Sequence, residues 1–242
     1  MRLGSAELPT VTLARALSGH AAAVVLVSDM PGLPVVVCPV EHRAALRDGE
    51  VWLWFGDPTR RGDWDEAAAE LLRCSVYGAR AARQRQARSR AAMLCAHAGA
   101  RVLLAQALGC GPDRIAYQPT ESGKPCLGEA GCVSFSLAHT DTLVAVAVSR
   151  HAVGVDVEPV RMLPDIDALA AAELDPVLVE QLRGLPPERR VRGFFQCWTV
   201  GEAWFKATGR VISAGEAGWL DGKPGLVGLC TAEGARKQYV LF

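Results

Sequence analysis

A chain of 242 residues, half of them hydrophobic and 21% charged, is long enough to bury a sizeable core and too apolar to be a disordered chain. Its formal net charge of +0 excludes a globally basic polyanion binder, though not a local basic groove. No uninterrupted apolar run reaches the ~18 residues of a membrane span, no signal-peptide pattern occurs, and the eight cysteines are scattered without a C-x-x-C pair. These features predict a cytoplasmic protein with reduced thiols, no zinc cluster and no membrane contact.

In chain order, Ala22–Ser28 and Pro34–Val40 flank the turn signal Met30-Pro31-Gly32 and read as short strands, and Val51–Phe55 (VWLWF) reads as a third. Asp65 caps a predicted helix reaching about Cys74. Tyr77–Leu108 is rich in Ala, Arg and Leu. Met93, Leu94, Ala98, Val102 and Ala105 recur at a helical period, which predicts a long helix ending at Gly109 with a candidate break near Gly99. Within it, Arg80–Arg90 (RAARQRQARSR) reads as a solvated face, or as an electrostatic site for phosphates or an acidic partner. Without interleaved aromatics, nucleic acid is the weaker reading.

Ser122–Leu127 (SGKPCL) predicts a turn. Pro125 pushes Lys124 toward an extended conformation, and Gly123 lets backbone approach a ligand. Cys132–Leu137 and Thr142–Ser149 read as strands joined around His139-Thr140-Asp141, which puts His139 in an exposed turn. Val153–Val157 is a further strand. Pro164–Gly184 reads as helical, Pro186-Pro187 punctuates it, and a helix follows from about Glu188 to Thr208 with Gly209 as its stop. Gly225–Thr231 and Lys237–Leu241 carry weak strand signals. Strands and helices mix without strict alternation, so the expected class is α+β and not a doubly wound sheet.

Two segments hold candidate chemistry. In Gly154–Glu158 (GVDVE) the period of a strand sends Val155 and Val157 to a core and sets Asp156 and Glu158 side by side on the other face. Paired carboxylates suit a hard divalent cation such as Mg²⁺, which is commonly held with substrate phosphates. The plain alternative is a solvated strand face. In Trp198–Lys206 (WTVGEAWFK), Glu202 and Lys206 stand at i and i+4. Exposed, such a pair contributes only ~0.2–0.5 kcal/mol. The surrounding Phe194, Phe195, Trp198, Trp204 and Phe205 predict a largely buried helix, where a charge needs a partner or a metal.

Taken in order, SGKPCL, SLAHT, GVDVE and W-T-x-x-E-A-x-x-K resemble the 4′-phosphopantetheinyl transferases, specifically the surfactin-synthetase-activating subgroup. That family shows GKP-x-L, a strand ending in Ser-His, G-[IV]-D-[IV]-E and W-[ST]-x-K-E-[AS]-x-x-K. The resemblance covers roughly residues 50–242, including VWLWF and Ala96–Leu104 (AHAGARVLL); residues 1–49 do not align.

The resemblance implies two similar α+β lobes related by a pseudo-twofold, 1–151 and 152–242, with the active site in the cleft between them. It implies transfer of the phosphopantetheine arm of coenzyme A to a serine of an apo acyl or peptidyl carrier protein, with release of adenosine 3′,5′-bisphosphate, by a monomer. By match of motif, Asp156, Glu158 and Glu202 hold Mg²⁺, Glu202 is also the base for the carrier serine, and Lys206 neutralises the diphosphate. Lys124, Pro125, Ala138 and His139 match positions at the nucleotide end, and Arg88 is placed there by its distance from Arg101. Two departures stand out: Gly201 where the family has Lys, and Ala138 where it has Ser. They motivate a second hypothesis, a weakened relative that binds coenzyme A or a carrier without transfer. A third is a Mg²⁺-dependent phosphodiesterase using the same carboxylates, against which GKP and His139 count.

Overall fold

The apolar runs become strands and the Ala-, Leu- and Arg-rich segments become helices in the computed structural model, which describes residues 22–28, 35–37, 45–47, 51–59, 63–121, 123–128, 133–211 and 226–231. Among these lie nine strands: β1 (Ala22–Ser28), β2 (Val35–Val37), β3 (Val51–Gly56), β4 (Gln118–Pro119), β5 (Pro125–Cys126), β6 (Ser134–His139), β7 (Val144–Ser149), β8 (Val153–Pro159) and β9 (Leu226–Thr231). The helices are α1 (Asp63–Leu72), α2 (Val76–Ala82), α3 (Ala87–Leu108), α4 (Ile166–Glu173), α5 (Pro176–Arg183) and α6 (Pro187–Thr208). The architecture is mixed α and β, as expected. The suggested strand at Lys237–Leu241 lies outside the described residues.

One sheet runs β2-β3-β7-β6, with β2 parallel to β3 and the other pairs antiparallel. A second runs β8-β1-β9, all antiparallel, with Val25 opposite both Asp156 and Leu229. Strands from both sides of residue 151 therefore share the sheet that carries GVDVE. Continuous apolar runs such as VWLWF and VAVAV suit strands covered on both faces. One face of the first sheet, with Trp52, Val146 and Val148, packs on Ala96, Ala100 and Leu104 of α3. The other face, with Leu53, Phe55 and Ala147, packs on Val153, Val155 and Val157 of β8. Helix α6 covers the far side of β8, and its Phe194, Phe195 and Cys197 form a third core with Ala170, Leu178 and Leu182 of α4 and α5.

Several sequence expectations shift. Helix α3 runs unbroken through Gly99, and the break falls earlier, at residues 83–86. Gly99 is instead a packing position: a Cβ there would overlap the Trp54 indole. The helical stretch 164–184 divides in two because Pro176 opens a new helix, with the Asp175 carboxylate accepting from the Val177 N–H at 2.9 Å. Phe205 is 45% exposed, so α6 is less enclosed than its aromatics suggested. By length and composition α3 is apolar enough to cross a membrane, although Arg88, Arg90 and Arg101 interrupt its apolar run; more than half of its apolar window is buried in the core.

Candidate active site

The seam between β8 and α6 is set by Gly154. A Cβ at that position would overlap the Ala203 carbonyl oxygen and come within 2.8 Å of the Ala207 nitrogen, so only glycine lets strand and helix approach this closely. The same seam brings together two of the predicted residues. Alternation along β8 turns Asp156 away from the core toward α6, where it is 6% exposed. Lys206 Nζ donates to Asp156 Oδ1 at 2.6 Å and to the Val155 carbonyl at 3.3 Å. Asp156 Oδ2 is buried with no hydrogen-bond partner among the described residues. A buried carboxylate oxygen in that condition is costly unless a cation or donor reaches it.

Lys124 reaches the same place from the β4–β5 hairpin and donates to the Lys206 carbonyl oxygen. The hairpin is closed by Thr120 N–H to Lys124 O at 2.8 Å and Gly123 N–H to Thr120 O at 2.9 Å. Gly123 supplies the positive φ of 85° that this turn requires. Its Pro125 opens β5 and is half-buried.

His139 was expected in an exposed turn; it is instead the last residue of β6 and half-buried. The turn comes after it, because the Thr140 hydroxyl accepts from the N–H groups of Thr142 and Leu143 at 3.2 and 3.0 Å. Burial, and then the Lys206 ammonium, push the His139 imidazole below its ordinary range, with Asp141 opposing. Near neutral pH His139 is therefore held as the uncharged imidazole within reach of the Lys206 ammonium. The Ala138 side chain points the opposite way, into the core with Val155 and Phe55, and leaves only backbone to face a ligand. Arg88 is exposed in the first turn of α3, next to the β6–β7 turn, where Ser89 Oγ donates to Asp141 Oδ1 at 3.4 Å.

Glu158 follows Asp156 on the same face of β8, half-buried, and Arg161 Nη1 meets its Oε2 at 3.4 Å. Burial raises the Glu158 carboxyl above its ordinary range, the neighbouring Asp156 raises it further, and Arg161 opposes both. Glu202 is placed differently. Although one helical turn from Lys206, it lines a cavity of about 520 Å³ with Gly201, Trp198, Phe205, Glu173 and Asp175. Among the described residues no three His, Cys, Asp or Glu side chains gather as a metal-binding group. The structure thus joins Asp156, Lys206, Lys124 and the His139 environment, and leaves Glu202 on the adjacent cavity wall.

Sequence reasoning missed three contributors. Gly154 was read only as part of a pattern. Ser136 is buried, and its Oγ accepts from the Val155 N–H at 3.1 Å, tying β6 to β8. Arg161 rides over the Phe195 ring at 5.2 Å while facing Glu158. The available signal for Ser136 was its place two residues before Ala138, on the same face of β6. Nothing in the sequence signalled Arg161.

A family model of the 4′-phosphopantetheinyl transferase superfamily matches residues 152–221, a span that holds Gly154, Asp156, Glu158, Glu202 and Lys206. The match is confined to this segment, which is similar to that superfamily. Three curated transferases of the same description resemble the chain. HetI of Nostoc sp. is 36% identical over 117 residues, covering 47% of this chain and 49% of the relative. The transferase psf-1 of Bacillus pumilus is 31% identical over 103 residues, 43% of each. The transferase gsp of Aneurinibacillus migulanus is 29% identical over 119 residues, 46% of this chain and 45% of the relative. The chain spans about half the length of these curated relatives.

Away from the carboxylates of the matched segment, a buried histidine sets an acid limit on the fold. Burial, with His139, Arg101 and Arg80 nearby, lowers His97 to about 3. Because the folded value lies below the ordinary 6.5, the unfolded chain takes the proton first, and stability falls as pH drops from 6.5 toward about 3. His97→Asn is expected to flatten the wild-type slope of chemical-denaturation stability by up to ~1.4 kcal/mol per pH unit between pH 6.5 and 5.5. Equal slopes in the two proteins would contradict the assignment.

Proposed function

We propose that the chain transfers the 4′-phosphopantetheine arm of coenzyme A to a serine of an acyl or peptidyl carrier protein and releases adenosine 3′,5′-bisphosphate. The observation that carries this reading is the Asp156 carboxylate in the superfamily segment, with one oxygen held by Lys206 and the other buried and unclaimed among the described residues. Asp156 and Glu158, adjacent on one strand face, fit the donor set of Mg²⁺, which takes one or two carboxylates and completes its shell with phosphate oxygens and water. Glu202, outside that pair in the structure, is the third carboxylate of the proposal. When bound, Mg²⁺ supplies charge neutralisation to the diphosphate.

The chain's own residues do the rest. Glu202 takes the proton of the carrier serine, whose oxygen forms a bond to the pantetheine-linked phosphorus as the bridging P–O bond breaks toward the leaving nucleotide. Lys206 neutralises the charge that develops on that leaving phosphate. Lys124, with Pro125 and the Ala138 backbone beside it, and neutral His139 hold the nucleotide end, and Arg88 adds charge at its rim. Positioning and charge neutralisation dominate phosphoryl transfer, which suits a site built from two lysines and fixed carboxylates. Two similar lobes meeting near residue 151 would place coenzyme A between them. Incubating an apo carrier with coenzyme A and Mg²⁺ and weighing it tests the reading. A mass gain equal to the phosphopantetheine arm is expected; an unmodified carrier refutes transfer.

Gly201 favours the second reading, a relative that binds without transferring. A Cβ at 201 meets nothing within 4 Å, so a larger residue fits without rearrangement. Gly201→Lys is expected to raise the melting temperature by roughly 2–4 °C, since mid-helix glycine costs about 1 kcal/mol. It should also tighten coenzyme A binding by about threefold in calorimetry, the scale of one exposed charge contact. Unchanged affinity would dissociate Gly201 from the phosphate site.

A further inference from the structure

The Lys124 hairpin is short, and a two-residue ladder such as β4–β5 holds no position by itself. What fixes it lies at its base. Tyr117, the residue before β4, is 4% exposed, and it meets His97 of α3, which is 5% exposed. His97 Nδ1 and Tyr117 Oη are 2.9 Å apart, and the Tyr117 hydroxyl donates to the His97 backbone carbonyl at 3.2 Å. With the hydroxyl proton so used, neutral His97 satisfies both contacts by carrying its proton on Nδ1 and donating it to Tyr117.

The pair is locked from both sides. Tyr77 of α2 stacks on the His97 ring with centroids 3.9 Å apart, and Phe135 of β6 tilts against Tyr117 at 4.9 Å. At the other foot of the hairpin Leu127 packs against the same core. The hairpin therefore leaves a rigid base, turns at Gly123, and delivers Lys124 to the Lys206 carbonyl. Apolar packing alone permits sliding, whereas a buried hydrogen bond fixes one register because leaving either group unpaired is expensive.

We propose that the His97–Tyr117 pair is a positioning element for coenzyme A binding: it sets where Lys124 stands, without touching the substrate itself. The proposal rests on the reading of Lys124 as a nucleotide contact. Its test therefore has one arm that needs no ligand. In hydrogen exchange on the full chain, Tyr117→Phe is expected to speed the Thr120 and Gly123 amides about tenfold, while amides at the centre of α3 keep their wild-type rates. By calorimetry with coenzyme A, Tyr117→Phe should weaken binding about fivefold, the scale of one buried hydrogen bond. It should have no further effect in a Lys124→Ala background. His97→Asn, which keeps a donor where Nδ1 stands, should bind as wild type, and His97→Leu should match Tyr117→Phe. Unchanged exchange at Thr120 and Gly123, or a uniform rise across the fold, overturns the anchor. Additive losses in the Lys124 background overturn its action through that lysine. If the wild type binds no coenzyme A, the functional reading fails and exchange alone decides the anchor.

Discussion

Gly154→Ala is expected to lower stability by about 3 kcal/mol, the upper range for a methyl forced into a filled site. The clash is with backbone, the Ala203 carbonyl and the Ala207 nitrogen, so no side-chain rotation can relieve it. Either β8 withdraws from α6 or the helix shifts along the strand. Both movements separate Lys206 from Asp156, so the loss of stability should be accompanied by loss of the proposed transfer. For a chain of this size a loss of that scale is roughly 6–12 °C in melting temperature. A thermal scan showing a shift under about 2 °C would mean the seam is softer than its geometry implies.

Asp156→Ala is expected to cut transfer on the order of 10²–10³-fold, the scale of removing a preorganised charge at a phosphoryl or acyl centre. Stability should suffer as well, because Lys206 loses its carboxylate, although its partial exposure lets water take up some of the charge. The two effects separate in a cycle. Adding Lys206→Met to Asp156→Ala removes the stranded ammonium and should recover most of the lost stability, as replacing both partners of an ion pair generally does. Activity should stay low. Recovery of both together would assign the pair a structural role and leave the chemistry elsewhere.

GVDVE could be read from sequence because strand alternation is local. Val155 and Val157 enter the core and Asp156 turns away from it, as the period requires. The ends of α6 were equally legible, since Pro187 and Gly209 are local signals, and Gly209 does take a left-handed φ of 72°. What was hidden depends on a distant partner. Gly99 looks like a helix defect until Trp54 is seen lying on it. His139 looked exposed because the Thr140 hydroxyl, not the histidine, makes the turn. Glu202 and Lys206 share a helical spacing, yet one lines a cavity and the other meets β8, because neighbours one turn apart on a narrow helix can face different elements. The motif order thus carried the resemblance, while the seam, the Ser136 tie and the Arg161 stack depend on the folded chain.

The position of β1 bears on how the protein is made. It is the middle strand of its sheet, with β8 on one side and β9 on the other. During synthesis it emerges well before its partners, with β8 and β9 following at least 120 residues later in the chain. Its edges must wait unpaired while α3, β3, β6 and β7 assemble from nearer contacts, and late long-range pairing of this kind is slow and open to mispairing. In refolding experiments the helical signal should return before the Asp156 strand is locked in place, so recovery of transfer should lag behind recovery of secondary structure.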